Sequence, residues 1–175
     1  MGSGSGRILS SQFGQLGPKA ARQLVQYAGH KGWLSAVPDP KFDKKDSPSE
    51  KTRRAQLSKQ GSGLVKLPEV EGYKYLVDVF EDLGMFNYGT NGPEVVKYQE
   101  IESYCNLTGT TLTPAEVMLI RRMSQEYVSR YYTGEDPGSA APYTSSSDLG
   151  DSGEDLSDRI LSVYMRRAAN NKRNV

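Results

Sequence analysis

Few side chains in this sequence could carry out chemistry, and their surroundings argue against catalysis. The only histidine, His30, stands beside Gly29 with no cysteine or acidic cluster at metal-ligand spacing, which predicts a surface or helix-end position. The only cysteine, Cys105, falls mid-helix on an apolar side, which predicts packing rather than a reactive thiolate. The loop with Gly89 and Gly92 has no preceding strand and no Gly-Lys-Ser sequence, so it does not predict a phosphate cradle. We therefore expect no enzyme activity, no metal and no cofactor.

The cellular setting follows from the cysteine count and the hydropathy. One cysteine excludes an internal disulfide framework or a thiolate metal cluster and fits a reducing compartment. No apolar run approaches the length that spans a membrane, and the first residues carry no basic-then-apolar secretion signal. We expect an intracellular protein with no membrane partner.

The clearest structural elements in the sequence are two helical patterns joined by a short polar link, Tyr98–Leu107 and Thr113–Tyr132. Thr113 is placed to be an N-cap, Pro114 fits the first helical turn, and Glu116 can close a capping box. So compact a helical pair predicts a small folded unit within a polar chain, whose mean hydropathy is −0.62.

The charge is divided along the chain, although the net charge is only +1. Residues 1–67 hold 12 Lys and Arg against 4 Asp and Glu, residues 68–133 hold 5 against 10, and residues 134–175 hold 5 against 7. Together with apolar residues at helical spacing, the division predicts an all-α protein with a flexible, partly helical basic arm over residues 1–67 and a three-helix bundle over residues 68–133. A Ser- and Gly-rich disordered linker is expected over residues 134–153, followed by an amphipathic helix and tail over residues 154–175.

Within the arm, two helices are indicated by local signals. Pro18 can open a helix over Lys19–His30, with small and aliphatic residues on one side. Ser47 and Glu50 form a second capping-box pattern that opens a basic stretch, but that stretch has no apolar face to bury.

Apolar residues beyond those that a thin core needs predict partner binding. The first helix of the bundle carries a second stripe, aromatic residues follow it, and the C-terminal helix has a stripe with no evident partner in the chain. The residues predicted to bind a partner are Tyr75, Val79, Phe86, Tyr88, Leu156, Ile160 and Tyr164. The alternative is that such rings complete the core, which we favour for Tyr73, Tyr104 and Tyr127.

A family resemblance lies in the residues Glu71–Phe80, in Tyr98–Gly109 with its Y-x-E-I-x-x-Y-x-x-L-T-G phrase, in Leu112–Val117 and in Met123–Tyr127. With these residues the central segment resembles the tail assembly chaperones of long-tailed bacteriophages. The chain differs from the family phrase at Tyr104, where the family usually has tryptophan, and at Ala115, where a second aromatic residue is frequent.

The resemblance implies a non-enzymatic protein of the host bacterial cytoplasm that is absent from the mature virion. Such a chaperone binds the phage tape measure protein and recruits tail-tube subunits to it. The residues leave two other functions open: a nucleic-acid-associated accessory protein acting through Lys41–Lys66, and a minor structural protein of the virion. DNA binding by the helical pair itself is disfavoured, because residues 68–133 are negatively charged and the first half of Thr113–Tyr132 offers few donors.

Overall fold

The computed structural model describes residues 16–38 and 51–143. The predictions at Leu156, Ile160 and Tyr164, and the capping box at Ser47, lie outside the described residues.

The described chain is mainly helical, which confirms the predicted class at that level. It comprises α1 (Pro18–Ser35), α2 (Arg53–Lys59), a 3₁₀ turn (Gly63–Val65), α3 (Lys74–Asp82), β1 (Asn87–Gly89), β2 (Gly92–Glu94), α4 (Tyr98–Thr108) and α5 (Pro114–Gly134). None of these helices combines the length and the apolar character that crossing a membrane requires.

Helix α5 begins where the local sequence predicts it. The Thr113 hydroxyl accepts from the Glu116 backbone N–H at 3.3 Å, and the Glu116 carboxylate accepts from the Thr113 N–H at 2.6 Å. Pro114 occupies the first turn, where its missing N–H costs no hydrogen bond. The predicted capping box is confirmed because every group in it lies within three residues along the chain.

Helix α1 packs along α5 and supplies part of the core, which corrects its assignment to a flexible arm. Ala21, Leu24 and Ala28 are fully buried in the same cluster as the side chains of α3 and α5. A Cβ added at Gly32 would lie 2.2 Å from the carbonyl oxygen of Tyr127, so the two backbones approach closely at this point. Small residues make a weak apolar stripe in sequence, yet they allow this close helix contact.

Helix α2 is capped by Thr52, whose hydroxyl accepts from the Ala55 N–H at 3.4 Å. The helix buries a charged side chain rather than an apolar face, because Arg53 is only 8% exposed. The guanidinium of Arg53 donates to the carbonyl oxygens of Gly134 and Asp136 at 2.6 and 2.7 Å. These bonds fasten α2 to the end of α5.

The segment predicted as a turn-rich loop forms a β-hairpin with a two-residue connection, Thr90 and Asn91. Its strands pair Asn87 with Glu94, Tyr88 with Pro93 and Gly89 with Gly92. Gly92 has a φ of +118°, a backbone conformation that favours glycine.

The first part of the predicted linker, residues 134–143, packs against α1 instead of standing apart from the fold. The indole N–H of Trp33 donates to the Ser139 hydroxyl at 2.8 Å, and the Tyr143 ring meets the His30 ring edge-on at 5.7 Å between centroids. The polar composition of residues 134–143 predicts a disordered linker. It does not indicate these contacts, because their partners lie more than 100 residues earlier in the chain.

Candidate protein-binding surface

Val79 does not belong to an exposed stripe, which corrects its predicted role. It is 4% exposed and is part of the core cluster. Helix α3 is covered from two directions, since Glu81 accepts from Tyr27 of α1 and Glu116 of α5 accepts from Tyr75. The sequence analysis left α1 out of the core and so overestimated the uncovered surface of α3.

Tyr75 is half-buried and fixed in place. Its hydroxyl donates to the carboxylate of Glu116, the residue that also closes the capping box of α5. Burial, followed by the bond to Glu116, raises the pKa of the Tyr75 phenol, so the ring stays neutral. Tyr75 therefore joins α3 to α5.

Phe86 and Tyr88 lie together at the hairpin, and they differ in exposure. Phe86 is half-buried and stacks on Tyr127 of α5, with centroids 5.4 Å apart and ring planes 12° apart. Tyr88 meets Phe86 edge-to-face at 4.9 Å and is 90% exposed. An aromatic ring this exposed, supported from below by a packed ring, is suited to contact another molecule.

Sequence reasoning missed Tyr132, which extends this aromatic region. Its ring is 41% exposed and stands edge-on to the Tyr131 ring at 5.7 Å. The Tyr132 hydroxyl donates to the carbonyl oxygen of Pro93 at 3.0 Å and so joins α5 to β2. In the sequence, Tyr132 falls outside the face of α5 that carries the buried residues, and this position could have indicated an exposed ring. We call Phe86, Tyr88, Tyr131 and Tyr132 the hairpin aromatic surface, which the buried Tyr127 ring supports from below.

The two outer edges of the hairpin are unequal. Pro93 has no N–H, and its carbonyl oxygen accepts from Tyr132, so the outer edge of β2 is closed. The Gly89–Gly92 pair closes the two-residue turn and is a hydrogen-bonded pair. Because hydrogen-bonded and non-hydrogen-bonded pairs alternate along an antiparallel ladder, the next pair, Tyr88–Pro93, is a non-hydrogen-bonded pair. The N–H and C=O of Tyr88 therefore point away from β2, and no hydrogen bond to another described residue engages them. The edge of β1 can accept an extended chain.

A second aromatic cluster, around Trp33, is closed. The rings of His30 and Trp33 stack at 5.6 Å, and the Arg53 guanidinium lies 4.5 Å above the Trp33 ring. His30 is fully buried, with Nε2 2.8 Å from the carbonyl oxygen of Leu64, which corrects its predicted surface position. Burial lowers the pKa of His30 and keeps the ring neutral. This cluster joins α1, α2 and residues 134–143.

The remaining side chains that could take part in chemistry are packed against other residues or stand apart from any reactive group. Cys105 is half-buried against the core, and burial raises the pKa of its thiol. The Arg121 guanidinium lies 4.9 Å from the centroid of the half-exposed Tyr98 ring. Across residues 16–38 and 51–143, no three His, Cys, Asp or Glu side chains are grouped to hold a metal ion.

The chain matches no protein-family model, no curated protein sequence and no solved structure in the comparisons made. Its own geometry, together with the residues quoted above, is therefore the basis for a proposal about its function.

Proposed function

We propose that this protein is a non-enzymatic adaptor in the assembly of long-tailed phage tails. In this proposal it binds the tape measure protein through the hairpin aromatic surface and brings tail-tube subunits to it. It acts in the host bacterial cytoplasm and leaves before the virion is complete. In this proposal α3, α4 and α5 act as a three-helix bundle that supports the surface, with α1 packed along α5.

The observation that carries the proposal is the position of Tyr88. Its ring is 90% exposed, yet the strand beneath it is held by the Phe86–Tyr127 stack and by the Tyr132 bond to Pro93. A rigid aromatic anchor loses little conformational entropy when it binds, and such anchors commonly dominate protein interfaces. The motif residues that resemble tail assembly chaperones fall in the helices that support this hairpin.

The mode of contact suggested by the hairpin is strand addition. The free N–H and C=O of Tyr88 can pair with one residue of an extended segment, while its ring covers an apolar side chain of that segment. A three-residue strand offers few such bonds, which suits a chaperone that must release its client.

The test co-expresses the tagged full chain with a candidate phage tape measure protein and measures how much of that protein is captured. Tyr88→Ser is expected to lower capture about fivefold or more, because it removes the exposed anchor. The control is Leu107→Ser, which removes an 87% exposed apolar side chain at the far end of α4 from the hairpin. Equal capture by the Tyr88→Ser protein and the unaltered protein would contradict the proposed surface.

A second measurement separates the adaptor from a structural protein of the virion. Mass spectrometry of purified particles should detect tail proteins and none of this chain. If this chain is present in particles at a fixed ratio to the tube subunits, the protein is a structural component of the virion and the chaperone proposal is wrong.

A further inference from the structure

Glu94 is the only charged residue between Leu83 and Val96, the stretch that contains the hairpin. It ends β2 and is exposed. Within the part of the chain that the structure describes, its carboxylate forms no ion pair and no hydrogen bond. This carboxylate is therefore available to a ligand.

The Glu94 side chain reaches across β1 at Gly89. Glu94 pairs with Asn87, and Gly89 is the next residue of β1 on the same face of the sheet. A Cβ added at Gly89 would lie 2.5 Å from Cγ of Glu94 and closer still to the carboxylate. The φ of Gly89 is not positive, so its backbone conformation does not require glycine. The missing side chain at Gly89 instead leaves the space that the carboxylate occupies.

This position brings the carboxylate close to the open edge of β1. Tyr88, whose N–H and C=O point away from β2, is the neighbour of Gly89. A strand added at this edge would run about 4.8 Å from β1, with Cβ atoms of opposite residues about 5 Å apart. Its residue opposite Tyr88 would contact the Tyr88 ring. The adjacent residue, opposite Gly89, would point to the other face of the sheet, where the carboxylate lies.

A second carboxylate adds negative charge on that face. Glu100, in the first turn of α4, accepts from the side-chain amide of Asn87 at 2.5 Å and from the backbone N–H of Lys97 at 2.7 Å. Both donors are uncharged groups, so they do not neutralise the carboxylate. No cation among the described residues pairs with Glu94 or Glu100. Two such carboxylates favour a positively charged partner.

We infer that Glu94 selects an extended client segment in which a lysine or arginine stands next to an apolar residue. The apolar residue packs against the Tyr88 ring, and the cation meets the Glu94 carboxylate on the opposite face. Side chains alternate between the two faces of a strand, so the cation occupies an adjacent position whichever way the client runs. This inference rests on the strand addition proposed above and adds the chemistry of the segment.

A second copy of this chain is the competing occupant of the edge, and its sequence fits less well. Two β1 strands paired antiparallel about Tyr88 would place Asn87 of one copy opposite Gly89 of the other. Residues 84–93 contain no Lys or Arg. Such a dimer would therefore leave both Glu94 carboxylates without a cation.

Peptide titration of the ¹⁵N-labelled full chain, followed through the amide signal of Tyr88, tests the inference without the tape measure protein. The probes are three peptides of sequence Gly-Ser-Thr-X-Leu-X-Thr-Ser-Gly, in which X is Lys, Gln or Glu. The Lys peptide should bind about threefold more tightly than the Gln peptide, because an exposed ion pair contributes modestly to affinity. The Glu peptide should bind more weakly than either.

Three variants assign this preference to the carboxylate. Glu94→Gln should bind the Lys and Gln peptides equally, and Glu94→Lys should prefer the Glu peptide. Gly89→Ala should reduce the preference for the Lys peptide, because the added Cβ displaces the carboxylate. The control, Glu71→Lys, makes the same change of charge at an exposed residue at the other end of α3 from the hairpin. It should keep the preference for the Lys peptide.

The outcomes separate this inference from the proposed function. Equal binding of the Lys and Gln peptides by the unaltered protein, no Tyr88 shift with the Lys peptide at millimolar concentration, or an unchanged preference in Glu94→Lys would overturn the inference. Tyr88 shifts that depend on protein concentration without peptide would assign the edge to a second copy and also overturn it. Loss of tape measure capture in Tyr88→Ser, together with equal peptide binding, would keep the proposed function and reject the role of Glu94.

Discussion

The hairpin aromatic surface and the Trp33 cluster are both rich in rings, yet one is open and the other is closed. Around Trp33 the polar atoms find partners in distant segments: the indole N–H bonds Ser139, and the cation of Arg53 covers the ring face. At the hairpin, Phe86 is packed, while the Tyr88 ring above it stays 90% exposed. The two regions therefore differ in the exposure of a supported ring rather than in the number of their rings.

Of the substitutions that compare these two regions, the one at Trp33 is expected to lower the free energy of unfolding most. Trp33→Ala removes a 3% exposed ring that packs against His30 and Arg53, so it should lower the free energy of unfolding by about 3–5 kcal/mol. Urea denaturation followed by circular dichroism measures the change. A loss below about 1 kcal/mol would mean that the Trp33 cluster is not a structural core.

A smaller loss is expected when the cation that closes this cluster is removed. Arg53→Met leaves the carbonyl oxygens of Gly134 and Asp136 without their donor, at a cost of about 2–4 kcal/mol. The matched control is Arg54→Met, an exposed neighbour, which should change stability by less than about 0.5 kcal/mol. Similar urea midpoints for the two variants would show that the bonds of Arg53 add little.

Stability should also depend on pH through His30. Burial lowers the pKa of His30 in the folded protein, so the unfolded chain takes up a proton at a higher pH. Stability should therefore be complete above the unfolded pKa of about 6.5 and decrease as the pH falls toward the folded value. Urea midpoints at pH 7.5 and 6.0 should differ in the unaltered protein, and His30→Gln should reduce the difference. A midpoint that rises on acidification would contradict the buried, neutral ring.

The smallest stability effect is expected at the open surface. Tyr88→Ser should change the free energy of unfolding by less than about 0.5 kcal/mol, because the ring is 90% exposed. Its expected effect is on capture of the partner. A loss of stability comparable to that of Trp33→Ala would remove the distinction between the two regions.

Local features of the fold were predictable from the sequence. The start of α5 depends on Thr113, Pro114 and Glu116, which act within one turn of one another. The core positions Leu76, Val77 and Phe80 follow from helical spacing, and all three are buried.

Features set by distant segments were not predictable in this way. The role of α1 depends on close contact at Gly32 with a backbone 95 residues later, which a weak stripe of small residues does not indicate. For the same reason Val79 was assigned to a surface that α1 helps to cover. At the candidate site, Phe86 and Tyr88 were anticipated as neighbours, whereas Tyr132 became part of the surface through hydrogen bonding to the hairpin.

Hydrogen–deuterium exchange of the full chain, alone and bound to the tape measure protein, tests the hairpin aromatic surface most directly. Binding should slow exchange in peptides covering residues 86–94 and 127–134, while peptides covering Trp33 should exchange at the same rate in both states. Slower exchange confined to residues 51–66, or no change at the hairpin in a formed complex, would contradict the account.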